Sequence, residues 1–271
     1  MRWGRKAEID DIVDRMKQLS EQLRPVLNCR DLGGIKTENG RTIRSGLLFR
    51  SGGLHLFQEE ELDVLRKCGI RTILDLRASY AWKKKPDPDI GAVHARYDGN
   101  PAPGGDRIDF SAKGFGQTGK HAQAQIETLQ DYYTRMPFGY DAFHTMMNEL
   151  KSGHMPFLFH CSKGKDRTGI AAMILLGALG CDDETILQDY LLSNEYRSEE
   201  IRKRLAEGRQ NHPNDEGYMK LMFLREGVDE QIGRMVLANL KAKCGSWKNY
   251  LSSEYGWTEA DLEAFRNRCL M

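Results

Sequence analysis

One stretch of the chain decides the fold: Phe157-Leu158-Phe159-His160-Cys161-Ser162-Lys163-Gly164-Lys165-Asp166-Arg167-Thr168-Gly169. The apolar residues 157–159 follow a proline and predict a short, buried strand. A second apolar run, at 171–179, predicts a helix. The polar residues between the two form a loop that leads from the end of a strand to the N-terminus of a helix.

This loop has the chemistry of an anion-binding site. A loop at a helix N-terminus directs backbone N–H groups toward one point, where the helix dipole also favours negative charge. Gly164 allows a sharp bend, and the guanidinium of Arg167 can bind two phosphate oxygens at once. The same positive field should lower the pKa of the Cys161 thiol, and a thiolate held against a phosphoryl group is a nucleophile.

Cys161 and Arg167 are separated by five residues, with His160 before them and Thr168-Gly169 after. This pattern resembles the signature of the cysteine-dependent protein tyrosine phosphatases, and in particular the bacterial tyrosine/phosphoinositide phosphatases related to secreted mycobacterial and Listeria enzymes. The resemblance covers about residues 26–270. Further segments match the family pattern in order: Asn28-Cys29-Arg30-Asp31-Leu32-Gly33-Gly34, Phe49-Arg50-Ser51-Gly52, Ile73-Leu74-Asp75-Leu76-Arg77 and Asp189-Tyr190-Leu191-Leu192-Ser193-Asn194.

The resemblance assigns roles to residues of the loop. It implies that Cys161 is the nucleophile and forms a thiophosphoryl intermediate, and that Arg167 binds the phosphate. Thr168 would hydrogen-bond the thiolate and help it leave in the second step. His160 would orient the loop through the backbone and not transfer protons. The phosphate would be held by residues of the loop itself, namely Ser162, Lys163, Gly164, Lys165, Asp166 and Arg167.

The general acid is open at this point. The chain has no Trp-Pro-Asp tripeptide of the kind that supplies the acid in larger tyrosine phosphatases. The resemblance implies that Asp166 takes this role, and a carboxyl on the phosphate loop is well placed for it. Asp98, Asp106 and Asp109 in the glycine-rich stretch are alternatives. Asp166 could instead only pair with a neighbouring arginine or lysine.

Other charged residues near the loop have two interpretations. Lys163 and Lys165 add positive charge to the rim, as in lipid phosphatases of the tensin type, which favours multiply phosphorylated or inositide substrates; the alternative is solvated surface lysines. Asp75 and Arg77 could line the pocket, because open α/β sheets bind ligands at the carboxyl ends of their strands, and Asp98 could join them. The alternative for Asp75 and Arg77 is an internal ion pair.

The rest of the sequence predicts an α/β fold with a mainly parallel central sheet, flanked by helices and helix-rich in the C-terminal half. Residues 1–25 are expected to form an amphipathic helix, with apolar spacing over 6–24, and 26–271 the phosphatase domain. The stretch 99–120 is expected to be a mobile glycine-rich loop. Strands are predicted around 41–50, 70–76 and 92–97, and helices at 58–68, 121–135 and 139–151, with N-terminal caps at Asp182, Ser198 and Thr258.

Composition excludes several classes of function. Forty basic and 39 acidic residues give a net charge of +1, so no global field attracts nucleic acid. No apolar run approaches the roughly 20 residues of a membrane span. The six cysteines are scattered and have neither disulfide-framework nor zinc spacing. We therefore expect no metal, no cofactor and no stable membrane insertion, and a cytoplasmic location by default, although export without a signal peptide stays open. The oligomeric state is open too.

These observations predict a phosphomonoester hydrolase that acts through a cysteinyl-phosphate. Its substrate is expected to be phosphotyrosine in proteins, with dual or phosphoinositide specificity as an extension. One alternative is an inositide phosphatase with little protein activity. A sulfur-transfer enzyme with a rhodanese-like loop is a further alternative, but such loops are generally shorter and have no matching Lys-Asp-Arg-Thr-Gly. A non-enzymatic phosphate-binding module is another, and the presence of Cys161, Arg167 and Thr168 argues against it.

Overall fold

The computed structural model describes residues 22–95, 97 and 120–271. Over these ranges it has the α/β fold with a central, mostly parallel sheet that the sequence predicts. The predicted strands at 70–76 and 157–159 correspond to β3 and β5. The described strands are β1 (Arg30–Asp31), β2 (Leu48–Ser51), β3 (Thr72–Asp75), β4 (Val93–Ala95) and β5 (Phe157–His160).

The strands lie in the order β1-β2-β5-β3-β4. β1 is antiparallel to β2, and every other neighbouring pair is parallel. β5 is thus the central strand, and Ser51 of β2 and Asp75 of β3 lie opposite its last residue, His160. The loop after His160 therefore starts at the carboxyl edge of the sheet, between the ends of two neighbouring strands.

Helices flank the sheet and dominate the C-terminal half. In the described ranges they are α1 (Glu59–Lys67), α2 (Ser79–Lys84), α3 (Lys120–Arg135), α4 (Asp141–Ser152), α5 (Arg167–Leu179), α6 (Asp183–Tyr196), α7 (Ser198–Asn211), α8 (Glu216–Glu226), α9 (Glu230–Cys244), α10 (Trp247–Tyr255) and α11 (Glu259–Cys269). Two short 3₁₀ turns lie at Pro25–Leu27 and Leu54–Leu56. None of the helices described is long and apolar enough to cross a membrane.

The central strand contributes to two hydrophobic clusters. Phe157 and Phe159 pack into the larger one, and Leu158 packs into the smaller one with residues of α1. This alternation follows from the two-residue period of a strand. Every residue of α5 from Thr168 to Leu179 is buried, as expected for a helix that is apolar on all sides. The strand and the helix that bracket the loop are therefore both anchored in the core.

Two of the three predicted helix caps are confirmed. Asp182 accepts a hydrogen bond from the first turn of α6, and Thr258 forms a capping box with Asp261 at the start of α11. The prediction of Ser198 is wrong, because Ser198 is the first helical residue of α7 and Arg197 occupies the N-cap position. The Arg197 guanidinium bonds to two other segments of the chain, so tertiary contacts and not a local cap fix this helix start.

Several predictions fall on residues outside the described ranges. These are the N-terminal helix up to residue 21, most of the glycine-rich loop, and the alternative acids Asp98, Asp106 and Asp109. Where the ranges begin, residues 22–24 form a turn and no helix, and the 3₁₀ turn starts at Pro25. Lys120, expected at the end of the loop, is the first residue of α3.

Candidate active site

The loop 161–166 connects the centre of the sheet to the start of α5, whose first helical residue is Arg167. Its backbone turns at Gly164, where φ is +69°. Asp166 occupies the N-cap position, but its side chain makes no capping hydrogen bond. The carboxyl is therefore free to face other groups, and the N-terminus of α5 has no side-chain cap, which favours an anion there.

Cys161 lies at the base of this loop, with only 2% of its surface exposed. Burial acts to raise the pKa of its thiol. The charge of Arg167, hydrogen bonds from the hydroxyl and backbone N–H of Thr168, and the N–H of Gly164 outweigh burial and lower the pKa to about 7. The Cys161 side chain is therefore partly ionised to the thiolate at neutral pH. The buried Thr168 hydroxyl has no other hydrogen-bond partner within the described part of the chain.

Arg167 is positioned by the carbonyl of Leu76, which follows β3. Its Nη1 donates to the Leu76 oxygen at 3.2 Å. The hydroxyl of Tyr140 donates to the same oxygen, and the hydroxyl of Tyr97 donates to the neighbouring carbonyl of Arg77 at 2.6 Å. Burial acts to lower the pKa of Arg167, but the charge of the Cys161 thiolate together with the neighbouring tyrosines Tyr97, Tyr132 and Tyr140 outweighs it, and the pKa is raised. The guanidinium is therefore held in place and permanently charged beside the thiolate.

His160, the last residue of β5, is fully buried. Its Nδ1 lies 3.2 Å from the carbonyl oxygen of Cys161, and its Nε2 lies 2.9 Å from an oxygen of Asp87. Burial acts to lower the pKa of His160, but the hydrogen bond to Asp87 and the charge of Asp75 outweigh it and raise the pKa. This geometry fits the predicted role of His160 in orienting the loop through its backbone.

Asp75 and Arg77 form the internal ion pair that the sequence analysis gave as the alternative to a pocket lining. Arg77 Nε donates to both oxygens of Asp75, at 2.9 and 2.8 Å. Its Nη2 also donates to Asp87 at 3.1 Å. Possible metal-ligand atoms of Asp75, Asp87 and His160 lie within 4.8 Å of one another. The Arg77 guanidinium pairs with both carboxylates and the His160 ring contacts Asp87, so this cluster is an ion-pair network that supports the loop.

A second buried network holds the loop through the carbonyl of Gly164. The carbonyl of Gly164 accepts hydrogen bonds from Arg50 Nη2 and Asn28 Nδ2, both at 2.9 Å. Arg50 and Arg30 pair with the same buried carboxylate, Asp189. Sequence reasoning found these residues only as parts of matching segments and gave them no role. One feature of the sequence could have indicated a role for them. These polar residues lie in or beside strands and on a helix with many apolar residues, where a buried charge without a partner would be costly.

The two lysines of the loop are engaged with the end of α8. Lys163 Nζ lies 2.8 Å from the carbonyl of Arg225 and 2.8 Å from Glu226. The expectation that Lys165 adds charge to the rim is wrong, because its side chain is 3% exposed. Lys165 Nζ instead donates to the carbonyls of Leu224 and Gly227. The carbonyls of the last turn of α8 attract the two ammonium groups, as a helix C-terminus does.

Asp166 is the last residue of the loop, and its carboxyl contacts both α3 and the neighbouring Lys165. Its Oδ1 accepts a hydrogen bond from the hydroxyl of Tyr133 and another from Lys165 Nζ at 2.6 Å. Burial raises the pKa of the Asp166 carboxyl to about 7, against the charges of Arg167 and Arg197. A carboxyl with this pKa is partly protonated at neutral pH and can donate a proton.

Gly164→Ala should destabilise the protein by roughly 2 to 4 kcal/mol, because a side chain here is both strained and obstructed. A Cβ at this position would lie 2.6 Å from the carbonyl carbon and oxygen of Ser51. Gly91→Ala is the matched control, since Gly91 also has a positive φ but faces open space. It should cost only about 1 kcal/mol. Equal free energies of unfolding for the two variants in urea would contradict the close approach.

Most of the chain is similar to known proteins. The tyrosine phosphatase family matches the chain over residues 21–271. A protein of Cupriavidus necator named as a tyrosine-protein phosphatase is 34% identical over 175 residues, which cover 63% of this chain and 61% of that protein. The triple specificity protein phosphatase PtpB of Mycobacterium tuberculosis is 29% identical over 201 residues, covering 66% of this chain and 71% of PtpB.

A third relative extends the match along more of the chain. A tyrosine-protein phosphatase of Nostoc commune is 25% identical over 231 residues, which cover 81% of this chain and 72% of the relative. The chain thus spans less than two thirds of the length of the Cupriavidus protein, and somewhat more of the other two.

Proposed function

The chain belongs to the tyrosine phosphatase family, and from this premise we propose that it hydrolyses phosphoric monoesters, foremost phosphotyrosine in proteins, through a covalent cysteinyl-phosphate. The observation that carries the proposal is the buried Cys161 thiol, with a pKa of about 7, beside the fixed guanidinium of Arg167 at the N-terminus of α5. A thiolate at the base of an anion-binding loop is suited to attack a bound phosphoryl group.

In the first step the Cys161 thiolate attacks phosphorus in line with the leaving oxygen. The S–P bond forms as the P–O bond breaks, and the leaving oxygen takes a proton from the Asp166 carboxyl. Arg167 and the backbone N–H groups of the loop stabilise the charge on the three equatorial oxygens. The products are the free alcohol or phenol, a phosphorylated Cys161 and an ionised Asp166.

In the second step water attacks the phosphorus of the intermediate. The Asp166 carboxylate takes a proton from this water, the S–P bond breaks, and inorganic phosphate leaves. The hydroxyl of Thr168 stabilises the departing thiolate, which restores the starting state. The same carboxyl thus serves as acid and then as base, as microscopic reversibility allows.

The substrate class rests on separate observations. Lys163 and Lys165 favour inositides only if they face the substrate, and both are engaged with the end of α8. Phosphotyrosine in proteins is therefore our first proposal. The mycobacterial relative is a triple specificity phosphatase, which supports activity on further phosphate esters as an extension, and we include phosphoinositides in that extension.

The direct test is hydrolysis of p-nitrophenyl phosphate in the presence of a chelator, followed by a panel of phosphopeptides and soluble inositol phosphates. We expect turnover that the chelator does not affect, and a preference for phosphotyrosine peptides. Absence of turnover on every substrate would overturn the proposed activity. Turnover confined to inositol phosphates would replace the protein substrate with an inositol phosphate or inositide.

Asp166→Asn should slow phenyl phosphate by about 100-fold, because a poor leaving group needs a proton. Substrates with acidic leaving groups should slow much less. Because burial raises the Asp166 pKa to about 7, the acid form is lost as pH rises, so the wild-type rate should fall on the basic side of neutrality. The rate falls on the acidic side because Cys161 becomes protonated. The variant should keep the acidic limb and lose the basic one.

Rates at several leaving-group pKa values give the measurement, and Asp182→Asn is the control because asparagine also caps a helix. Equal slowing of good and poor leaving groups would show that Asp166 only positions the loop. Selective loss in Asp98→Asn, Asp106→Asn or Asp109→Asn would place the acid in the glycine-rich stretch.

A further inference from the structure

The carboxyl of Asp166 is held by a residue that lies 33 positions away in the sequence. Tyr133, on α3, donates its hydroxyl to Asp166 Oδ1. Its side chain is buried, with 5% of the residue exposed, and its ring packs edge-on against that of Tyr132, with centroids 5.9 Å apart. The hydroxyl is therefore fixed on one oxygen of the carboxyl.

Both contacts to this carboxyl use the same oxygen. Lys165 Nζ donates to Oδ1 at 2.6 Å, beside the Tyr133 hydroxyl. An oxygen that accepts two hydrogen bonds is a poor place for a proton, because a protonated oxygen repels both donors. Neither donor contacts the second oxygen, Oδ2, which is thus the one that can carry the proton.

We propose that Tyr133 is a positioning residue for the general acid: it fixes the rotamer of Asp166 so that the proton resides on Oδ2 and faces the leaving oxygen. This inference rests on the proposed function, since it assigns how the acid of that reaction is held. Tyr133 itself exchanges no proton with the substrate. Its contribution is geometric and electrostatic, and it acts through Asp166 alone.

The charge around Asp166 makes a neutral donor useful. The groups that face Asp166 are Lys165 and Arg167 of the loop segment, Tyr132 and Tyr133 of α3, Tyr190 of α6, Arg197 before α7, and Glu226 of α8. Burial and the nearby cations lower the pKa of Lys165 well below its usual value. A phenol gives the carboxylate a hydrogen bond without a further charge, so the carboxyl is oriented while it can still be protonated near neutral pH.

Tyr133→Phe tests the proposal, because it keeps the ring and removes the hydroxyl. We expect kcat for phenyl phosphate to fall by roughly 10- to 100-fold, since a misplaced acid loses most of its effect. Rates with acidic leaving groups and KM should change by less than about threefold. Loss of a donor to the carboxylate raises the pKa of Asp166, so the basic limb of the pH profile should move to higher pH.

Tyr250→Phe is the matched control, since it removes another buried tyrosine hydroxyl, which donates to the carbonyl of Pro137. It should lower stability without moving the limb or the leaving-group dependence. In the double variant with Asp166→Asn, the loss of the Tyr133 hydroxyl should have no further effect on phenyl phosphate.

The outcomes distinguish the positioning role of Tyr133 from the proposed function. A Tyr133→Phe enzyme with the wild-type basic limb and leaving-group dependence overturns the positioning role while the proposed function stands. If the losses of rate from Tyr133→Phe and Asp166→Asn add in the double variant, the positioning role is likewise overturned and the proposed function stands. An inactive wild-type enzyme, or a Cys161→Ser variant with normal rates, overturns the proposed function first.

Discussion

Cys161→Ser should reduce turnover by roughly 10⁴-fold or more, because the serine hydroxyl is almost wholly protonated at neutral pH and attacks phosphorus poorly. Phosphate binding should persist, since Arg167 and the backbone N–H groups of the loop are unchanged. Steady-state hydrolysis of p-nitrophenyl phosphate measures the first effect. Competition of inorganic phosphate with a labelled phosphopeptide for binding to the variant measures the second.

Alkylation of the wild-type thiol by iodoacetamide adds an independent reading of the same group. The alkylation rate should rise with pH through about 7, the pKa of Cys161. Bound phosphate should protect Cys161 from alkylation. Cys68→Ser is the control, because burial keeps the Cys68 thiol protonated, with a pKa of about 12. It should retain activity within about twofold. If Cys161→Ser hydrolyses p-nitrophenyl phosphate within tenfold of the wild-type rate, the assignment of Cys161 as the nucleophile is wrong.

The sequence could predict the parts of the site that lie close together in the chain. Cys161, Arg167 and Thr168 share one loop, and the apolar run before them and the run after them each fix one flanking element. Strand and helix periodicity also predicts the layering of the sheet, because each face of β5 contacts a different cluster. Local patterns suffice here because local geometry decides the result.

Contacts between distant segments were beyond the reach of these patterns. Lys165 looks like a rim residue from its neighbours, but the carbonyls at the end of α8 draw its side chain inward. Tyr133 reads as one more apolar position on α3, although its hydroxyl meets Asp166. Ser198 has the composition of a cap, yet the contacts of Arg197 fix the helix start. In each case the partner lies on an element whose placement depends on the whole core.

In the buried networks that support the loop, contacts between residues close in the sequence could also be predicted, whereas contacts between distant residues could not. Asp75 and Arg77 are two residues apart, so an ion pair between them was foreseeable, whereas their link to His160 through Asp87 was not. Asp189 lies over 130 residues from Arg50 in the sequence, and only the packing of α6 against the sheet brings the two together. Buried charges need partners, but that requirement does not identify which residues pair.

Arg167→Lys should lower kcat/KM by roughly 10³-fold or more, because arginines that contact a transferring phosphoryl group commonly contribute that much. A lysine keeps the charge but cannot place two parallel N–H groups on two equatorial oxygens. It also cannot keep the Leu76 carbonyl occupied at 3.2 Å while contacting the phosphate. The lysine ammonium is a mobile point charge, so it should stabilise the Cys161 thiolate less and the thiol pKa should rise above about 7.

Two measurements separate these effects. The pH dependence of alkylation should show a higher thiol pKa in Arg167→Lys, and activity at a pH above that value should still be far below wild type, because the planar fork is missing. Arg135→Lys is the control, since Arg135 pairs with Asp131 on the exposed surface of α3, and it should change rates by less than about twofold. Full recovery of activity at high pH would mean that Arg167 acts only by ionising Cys161, and that the loop binds the phosphoryl group through its backbone alone.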